Sequence, residues 1–217
     1  MKPSPTPRRR RASPVLLALA GTLAASLSAC GGGPSGGDGR DLRADDPLET
    51  GRDGVNVDGA SYPLLGAIGE IWADRGDWPT HFNVDFTLTD GRFAVTPILV
   101  DGESASVREP RGASAVLRFE LYAPDAAAFR FAAYEHVADP DAEGAIAGRH
   151  FFVGGRLGID EDGSGEVEPG EMRDVIGGSI VFEGPVPDIS LAFDLVLEDG
   201  AQAVGRYRGL FEFIPLS

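Results

Sequence analysis

Carboxylates are concentrated in one short stretch of the chain, residues 160–171, which reads DEDGSGEVEPGE. Six of its residues are acidic and none is basic. Oxygen-bearing residues stand at the first, third, fifth, seventh, ninth and twelfth positions: Asp160, Asp162, Ser164, Glu166, Glu168 and Glu171. Hard divalent cations take about six to eight oxygen ligands, and this spacing can bring the oxygens to one point. The stretch therefore predicts a metal site.

The same residues resemble the calcium-binding loop of the EF-hand family. Gly165 stands at position six, where the family's loop turns sharply, and the apolar Val167 stands at position eight. In the family, position seven coordinates through its main-chain carbonyl, position nine can act through water, and position twelve is a bidentate carboxylate. The resemblance implies Ca²⁺ as the ion, with a ligand set of Asp160, Asp162, Ser164, Glu166, Glu168 and Glu171.

The surroundings of the loop depart from that family, because no helix is predicted before it. Apolar residues alternate on both sides: Phe151, Val153, Leu157 and Ile159 before the loop, and Met172, Ile176, Ile180 and Phe182 after it. Pro169 suits the first position of one helical turn. We therefore expect the loop to form the tip of a β-hairpin that holds a fixed structural ion. The alternative is an acidic surface turn, since Asp, Gly and Ser are ordinary turn residues.

Alternation of apolar and polar residues dominates the rest of the chain from about residue 58. It is clearest in 82–89, 115–122 and 189–197, and it is typical of strands with one buried face. Asp-Gly pairs punctuate these runs at 90–91, 101–102 and 199–200; they favour tight turns with positive φ. The expected core residues include Phe82, Phe86, Phe119, Leu191 and Phe193.

No long window carries a helical period, and at most one helical turn is expected near 125–128. Short strands with turn signals predict an all-β domain over 58–217, an antiparallel β-sandwich or open barrel. The last hairpin is expected to join 189–198 to 203–214. The stretch from Gly178 to Phe211 is similar to the terminal hairpin of uncharacterised bacterial β-sandwich lipoproteins, which agrees with this fold.

The N-terminal residues 1–29 have the order of a signal peptide. Arg8–Arg11 form a basic run, residues 15–27 are apolar, and the sequence LSAC follows, ending at Cys30. The apolar run is shorter than the roughly 20 residues that span a bilayer. LSAC resembles the lipobox of bacterial lipoproteins, and the resemblance implies that Cys30 is lipidated and becomes the first mature residue. A simple secretory signal with a chance cysteine is the alternative.

Residues 30–57 are rich in Gly and Asp and are expected to form a flexible tether. Gly31 follows the cysteine in place of the Asp that retains lipoproteins at the inner membrane, so the resemblance implies the outer membrane of the cell envelope. After cleavage, 14 arginines face 34 acidic residues, a net charge of −20. This charge argues against nucleic acid as a partner. The expected partners are the membrane, through the lipid, and a glycan or an envelope protein.

Other chemistry is sparse in the sequence. His81, His136 and His150 lack metal-ligand spacing and are expected to be surface or hydrogen-bonded edge residues. No nucleophile elbow or phosphate-binding loop is present, so the sequence predicts a binding or surface-structural role rather than an enzyme. Two alternatives stay open. One is a carbohydrate-binding module that uses Trp78, which otherwise caps one end of the fold; the other is a hydrolase whose site is assembled from distant residues.

Overall fold

The structure is a computed structural model, and it describes residues 53–72, 78–100, 103–125, 128–184 and 188–216. The predicted signal peptide, Cys30 and nearly all of the predicted tether lie outside these ranges. So do two residues of the helical turn expected near 125–128. Within the described ranges, no helix is long and apolar enough to cross a membrane.

The described chain is almost entirely β-strand. Its strands are β1 (Gly54–Val57), β2 (Ala60–Pro63), β3 (Gly66–Trp72), β4 (His81–Thr89), β5 (Arg92–Val100), β6 (Glu103–Arg111), β7 (Ala115–Pro124), β8 (Ala133–His136), β9 (Phe151–Ile159), β10 (Met172–Glu183), β11 (Asp188–Leu197) and β12 (Gln202–Leu216). One 3₁₀ turn, Pro169–Glu171, lies between β9 and β10. The prediction of an all-β fold is confirmed.

Ten of these strands form one large sheet, in the order β11-β10-β8-β9-β7-β4-β3-β12-β1-β2. Because β11 also pairs with β12, the ladder closes on itself. Among the described strands, the pairing is antiparallel except where β3 meets β12 and β8 meets β9. These two parallel pairs make the sheet mixed rather than purely antiparallel. β5 and β6 form a separate two-stranded sheet.

The inner face of the closed sheet holds one apolar core. Phe86 lies in its middle, and its ring centroid is within 5.9 Å of those of Phe119, Phe129, Phe182, Phe211 and Phe213. The residues predicted to be buried behave as expected: Phe86, Phe119, Leu191 and Phe193 are at most 4% exposed. Phe82 is partly buried and packs against the same core.

The outer face of β3 is also covered, which the alternation of the sequence does not indicate. Ile68 and Glu70 point outward, yet they are only 3% and 8% exposed. The β5–β6 hairpin lies over them: Phe93 packs against Gly66, and the Arg108 N–H donates a hydrogen bond to Glu70 at 2.8 Å. The hairpin therefore forms a second layer outside the main sheet.

One boundary and one buried face inferred from the sequence need correction. The tether was expected to extend to residue 57, but β1 is a paired strand whose Val55 and Val57 are buried, so the folded part includes these residues. In β10, Val175 is buried and Ile176 is 52% exposed. The register of β10 against β11 shifts between Val175 and Gly177, and this bulge reverses the expected alternation.

The last hairpin and its turn follow the prediction, since β11 pairs with β12 over nine residue pairs, Asp188↔Leu210 to Val196↔Gln202. Gly200, in the Asp-Gly pair at the turn, has the expected positive φ of 85°. Gly91, in the first Asp-Gly pair, does not have a positive φ. It is needed for a different reason, since a Cβ there would lie 2.6 Å from the carbonyl oxygen of Arg111.

Candidate metal centre

The acidic loop 160–171 connects β9 to β10, as the alternating flanks predict. Gly158 of β9 pairs with Met172 of β10 at its base, and the Asp160 N–H donates to the Ser114 carbonyl at 3.0 Å. Val167 packs with Met172 onto Gly158, where a Cβ would overlap both side chains. The apolar residue at position eight thus fastens the loop to the hairpin, and the loop's acidic side chains stay at the surface.

Three of the predicted ligands come together. Asp160, Asp162 and Glu171 each offer a carboxylate oxygen, and these oxygens lie within 4.8 Å of one another. Such closeness brings three negative charges to one point at the tip of the hairpin. A divalent cation at that point would offset their repulsion, because opposite charges within a few ångströms attract strongly.

Main-chain N–H groups hold all three carboxylates in place, and Asp162 accepts one such bond from Ser164 at 2.9 Å. Asp160 accepts hydrogen bonds from Ser164 at 3.0 Å and Gly165 at 2.8 Å. Glu171 accepts from Glu161 and Glu168, each at 2.8 Å. These bonds favour the ionised forms: the Gly165 N–H above all lowers the pKa of Asp160, and the Glu168 N–H above all lowers that of Glu171. Both groups therefore stay charged and fixed in direction.

The neutral oxygens of the predicted set lie in the same part of the loop. The Ser164 Oγ is 3.0 Å from the main-chain carbonyl oxygen of Glu166 and 3.4 Å from Asp160 Oδ1. Gly163 and Gly165 have φ of 75° and 83°, which allow the chain to turn inward here. The Glu168 carboxylate is not part of the group of three, and the prediction that it acts through water stays a prediction.

These residues fit a hard cation such as Ca²⁺. An ionised carboxylate has about four lone-pair sites, so an oxygen that accepts an N–H can still coordinate a metal. Hard oxygen donors in a surface loop suit Ca²⁺ better than metals that prefer imidazole or thiolate. The loop supplies these donors from within twelve consecutive residues, and its main-chain hydrogen bonds pre-arrange them.

Trp78, the centre of the carbohydrate-binding alternative, is half-buried. Its ring makes edge contacts with Tyr122 at 4.7 Å and Phe151 at 5.5 Å between centroids. These rings belong to a second, smaller apolar cluster on the outer face, which also includes Val137 and Ile146. Trp78 therefore packs on the fold as a cap, the interpretation that the sequence favours.

The histidines depart from expectation in part. His81 is only 7% exposed. Its Nδ1 lies 3.0 Å from the Thr80 hydroxyl, but its Nε2 and that of His150 are buried with no hydrogen-bond partner among the described residues. The expectation of surface or hydrogen-bonded histidines therefore holds for the Nδ1 of His81 but not for the Nε2 of either residue. Burial lowers the pKa of His150 and His136, which favours the neutral forms.

One concave site was not predicted from the sequence. It lies between the β5–β6 hairpin and the outer face of the main sheet, and its lining includes Glu70, Thr87, Arg118, Glu120 and Arg156. These residues come from four strands, so only the pairing of the strands brings them together. The mixture of acidic and basic residues on the polar face of β7 is the only sequence signal for it.

Comparisons with family models, curated proteins and solved structures were made for the whole chain. None of them matches it.

Proposed function

We propose that the protein is a lipid-anchored component of the cell envelope, in which Ca²⁺ bound at 160–171 stabilises the β9–β10 hairpin. One observation supports the calcium site above all, the convergence of Asp160, Asp162 and Glu171 within 4.8 Å in a loop with the twelve-position spacing. The role of the domain is binding or surface structure, and its partner is a glycan or an envelope protein.

The proposed ion is structural because the loop has little to move. A β-hairpin carries it, and Val167 fixes it to Gly158 and Met172. A signalling site needs a bistable element whose equilibrium the ion shifts, whereas the pairing of β9 with β10 at the base of the loop favours one arrangement. Calcium then adds to the stability of a fold that exists without it.

Calcium titration of the purified protein tests this proposal. Extracellular calcium modules bind with dissociation constants of roughly 10⁻⁴–10⁻³ M. At ten times the dissociation constant the folded state gains about 1.4 kcal/mol, which raises the melting temperature of a domain of this size by roughly 3–6 °C. Magnesium gives a much smaller rise, because it demands a tighter octahedral cage.

Variants of the loop separate a site from a merely acidic turn. Asp160→Ala and Glu171→Gln abolish the calcium shift, because each removes a converging carboxylate. Glu161→Gln removes the same charge from position two, which supplies no ligand, and keeps the shift. Equal loss in all three variants, or isothermal titration without a saturable calcium site in the wild type, contradicts the proposal.

The lipid anchor is tested independently of calcium. Cys30→Ser removes the only thiol in the chain, so the protein is expected to leave the membrane fraction and to keep its signal segment. A matched Ser28→Ala variant leaves the cysteine in place and retains anchoring, since lipoboxes accept small residues there. A Cys30→Ser variant that stays membrane-bound and is processed normally would contradict the lipoprotein assignment.

A further inference from the structure

The groove outside the main sheet has the size of a small-ligand site, about 670 Å³. Its floor is the outer face of β3, β4, β7, β9 and β10, and its roof includes Val107, Arg108 and Glu109 of the β5–β6 hairpin. The strand pairing arranges the charged side chains of the floor in two rows that run across the strands.

The first row is acidic. Glu70, Asp85 and Glu120 stand directly opposite one another on β3, β4 and β7. Glu70 Oε1 accepts the Arg108 N–H at 2.8 Å, and Glu120 Oε1 accepts hydrogen bonds from the Asn83 amide and the Tyr122 hydroxyl. In both residues the second carboxylate oxygen, Oε2, has no partner among the described residues. Two oriented acceptors are therefore left for a ligand.

The second row is basic and lies two residues further along each strand, roughly 7 Å away. Thr87, Arg118 and Arg156 stand opposite one another on β4, β7 and β9. Two arginines in direct register repel each other. Asp174 offsets Arg156 with an ion pair of 2.9 Å, but Arg118 has no such pair among the described residues. The charge of Arg118 acts across the groove on Glu70, but within the described chain its guanidinium is in no direct ion pair there, and its planar fork can bind a carboxylate.

The two rows together define the chemistry of the ligand. A carboxylate fits the arginines, and hydrogen-bond donors are needed at the acidic row. Burial raises the pKa of Glu70, so this side chain gains a proton more readily than an ordinary carboxyl. A hydroxyl both donates and accepts and therefore suits either protonation state of Glu70, whereas an ammonium suits only the ionised one.

We propose that the groove binds an acidic saccharide, with its carboxylate on Arg118 and Arg156 and its hydroxyls on Glu70 and Glu120. The site is distinct from the face around Trp78, and it does not depend on calcium in the 160–171 loop. The Thr87 hydroxyl belongs to the second row, opposite Arg118, and can donate to the same ligand.

Isothermal titration calorimetry of the purified protein tests the proposal. The protein is titrated separately with D-galacturonate, D-galactose and glycine. D-Galacturonate is expected to bind saturably, and D-galactose, which lacks the carboxylate, at least about tenfold more weakly. Glycine carries a carboxylate and an ammonium but no hydroxyl, and it is expected to bind the groove more weakly than D-galacturonate. Absence of saturable galacturonate binding, or equal affinity for galactose, overturns the proposal. Binding of glycine as tight as galacturonate shows a zwitterion site instead and also overturns it.

Variants assign the binding to the groove. Arg118→Gln is expected to weaken galacturonate about tenfold or more, and Arg118→Lys by less, because lysine keeps the charge but loses the fork. Arg208 is exposed on β12 and does not line the groove, so Arg208→Gln, with the same charge change, leaves the affinity unchanged. Thr87→Val provides a second test with no charge change and weakens binding. Equal effects of Arg118→Gln and Arg208→Gln contradict the site.

Discussion

The acidic loop 160–171 and the inner core hold their side chains in place by opposite means. In the loop, nine of the twelve residues are exposed, and main-chain N–H groups a few residues away fix the carboxylates. In the core, strands distant in sequence press apolar rings together. Phe193 of β11, for example, lies against Gly205 of β12, where a Cβ would overlap its ring.

The difference shows which conditions each region responds to. The loop is a local electrostatic structure, so we expect cations and protons to change its stability. The core depends on buried apolar area and close packing, which neither ion changes. Substitutions in the two regions should therefore differ in size and, more sharply, in their dependence on calcium and pH.

Phe193→Ala is expected to have the largest effect. Phe193 is 1% exposed, and removing a fully buried phenylalanine costs about 3–5 kcal/mol of unfolding free energy. Urea denaturation measures this loss. Calcium should raise the unfolding free energy of the variant by no more than it raises that of wild type. A loss below about 1 kcal/mol would show that the core is not packed as described.

Trp78→Ala tests the second apolar cluster and comes next. The half-buried ring and its edge contacts with Tyr122 and Phe151 give an expected loss of about 2–3 kcal/mol. Val95→Ala, at an exposed apolar residue on β5, is a control with little effect. If Trp78→Ala keeps wild-type stability and instead abolishes binding on a glycan array, Trp78 is a sugar platform rather than a cap.

Gly158→Ala tests the attachment of the loop to the hairpin. The new methyl overlaps Val167 and Met172, and overpacking of this kind costs about 1–3 kcal/mol. Because Val167 must move, the calcium-induced rise in melting temperature should also shrink. Gly170→Ala is a matched control: its Cβ meets no atom within 4 Å and its φ is not positive, so both stability and the calcium shift persist.

The loop and the strands that carry it show which features of the structure can be predicted from the sequence alone. The carboxylates of Asp160, Asp162 and Glu171 lie within twelve consecutive residues, so their spacing could indicate the cluster, and the alternating flanks could indicate its place at a hairpin tip. The alternation of β4, β7 and β11 likewise indicated one buried face. The overlap at Gly158, the bulge after Val175 and the hairpin over Glu70 depend on strands brought together by pairing, which local patterns do not encode. The groove of Arg118 and Glu120 was missed for the same reason.

The pH dependence of stability without calcium is the smallest expected effect and distinguishes the two regions most clearly. Loop N–H groups lower the pKa of Asp160 below its ordinary 3.8 and that of Glu171 below its ordinary 4.5. A carboxyl whose pKa is lower in the folded state stabilises the fold above its unfolded pKa, and this stabilisation is lost as the pH falls through the folded pKa. In chelator, wild-type stability should therefore fall as the pH drops below about 5.

Charge-removing variants of the loop isolate this contribution from that of other carboxyls. Asp199, whose pKa the Ala201 N–H lowers, titrates in every variant and cancels in the comparison. Asp160→Asn and Glu171→Gln should lose less stability than wild type between pH 5 and pH 3, measured by urea denaturation, because one titrating group is gone. The unfolding free energy of Phe193→Ala should be lower than that of wild type at every pH. It should change with pH by the same amount as in wild type, since the substitution changes no proton binding. Identical slopes in wild type and Glu171→Gln would mean that the N–H groups do not hold the carboxylate in solution, and the loop would then lack the pre-arranged oxygens that the calcium proposal requires.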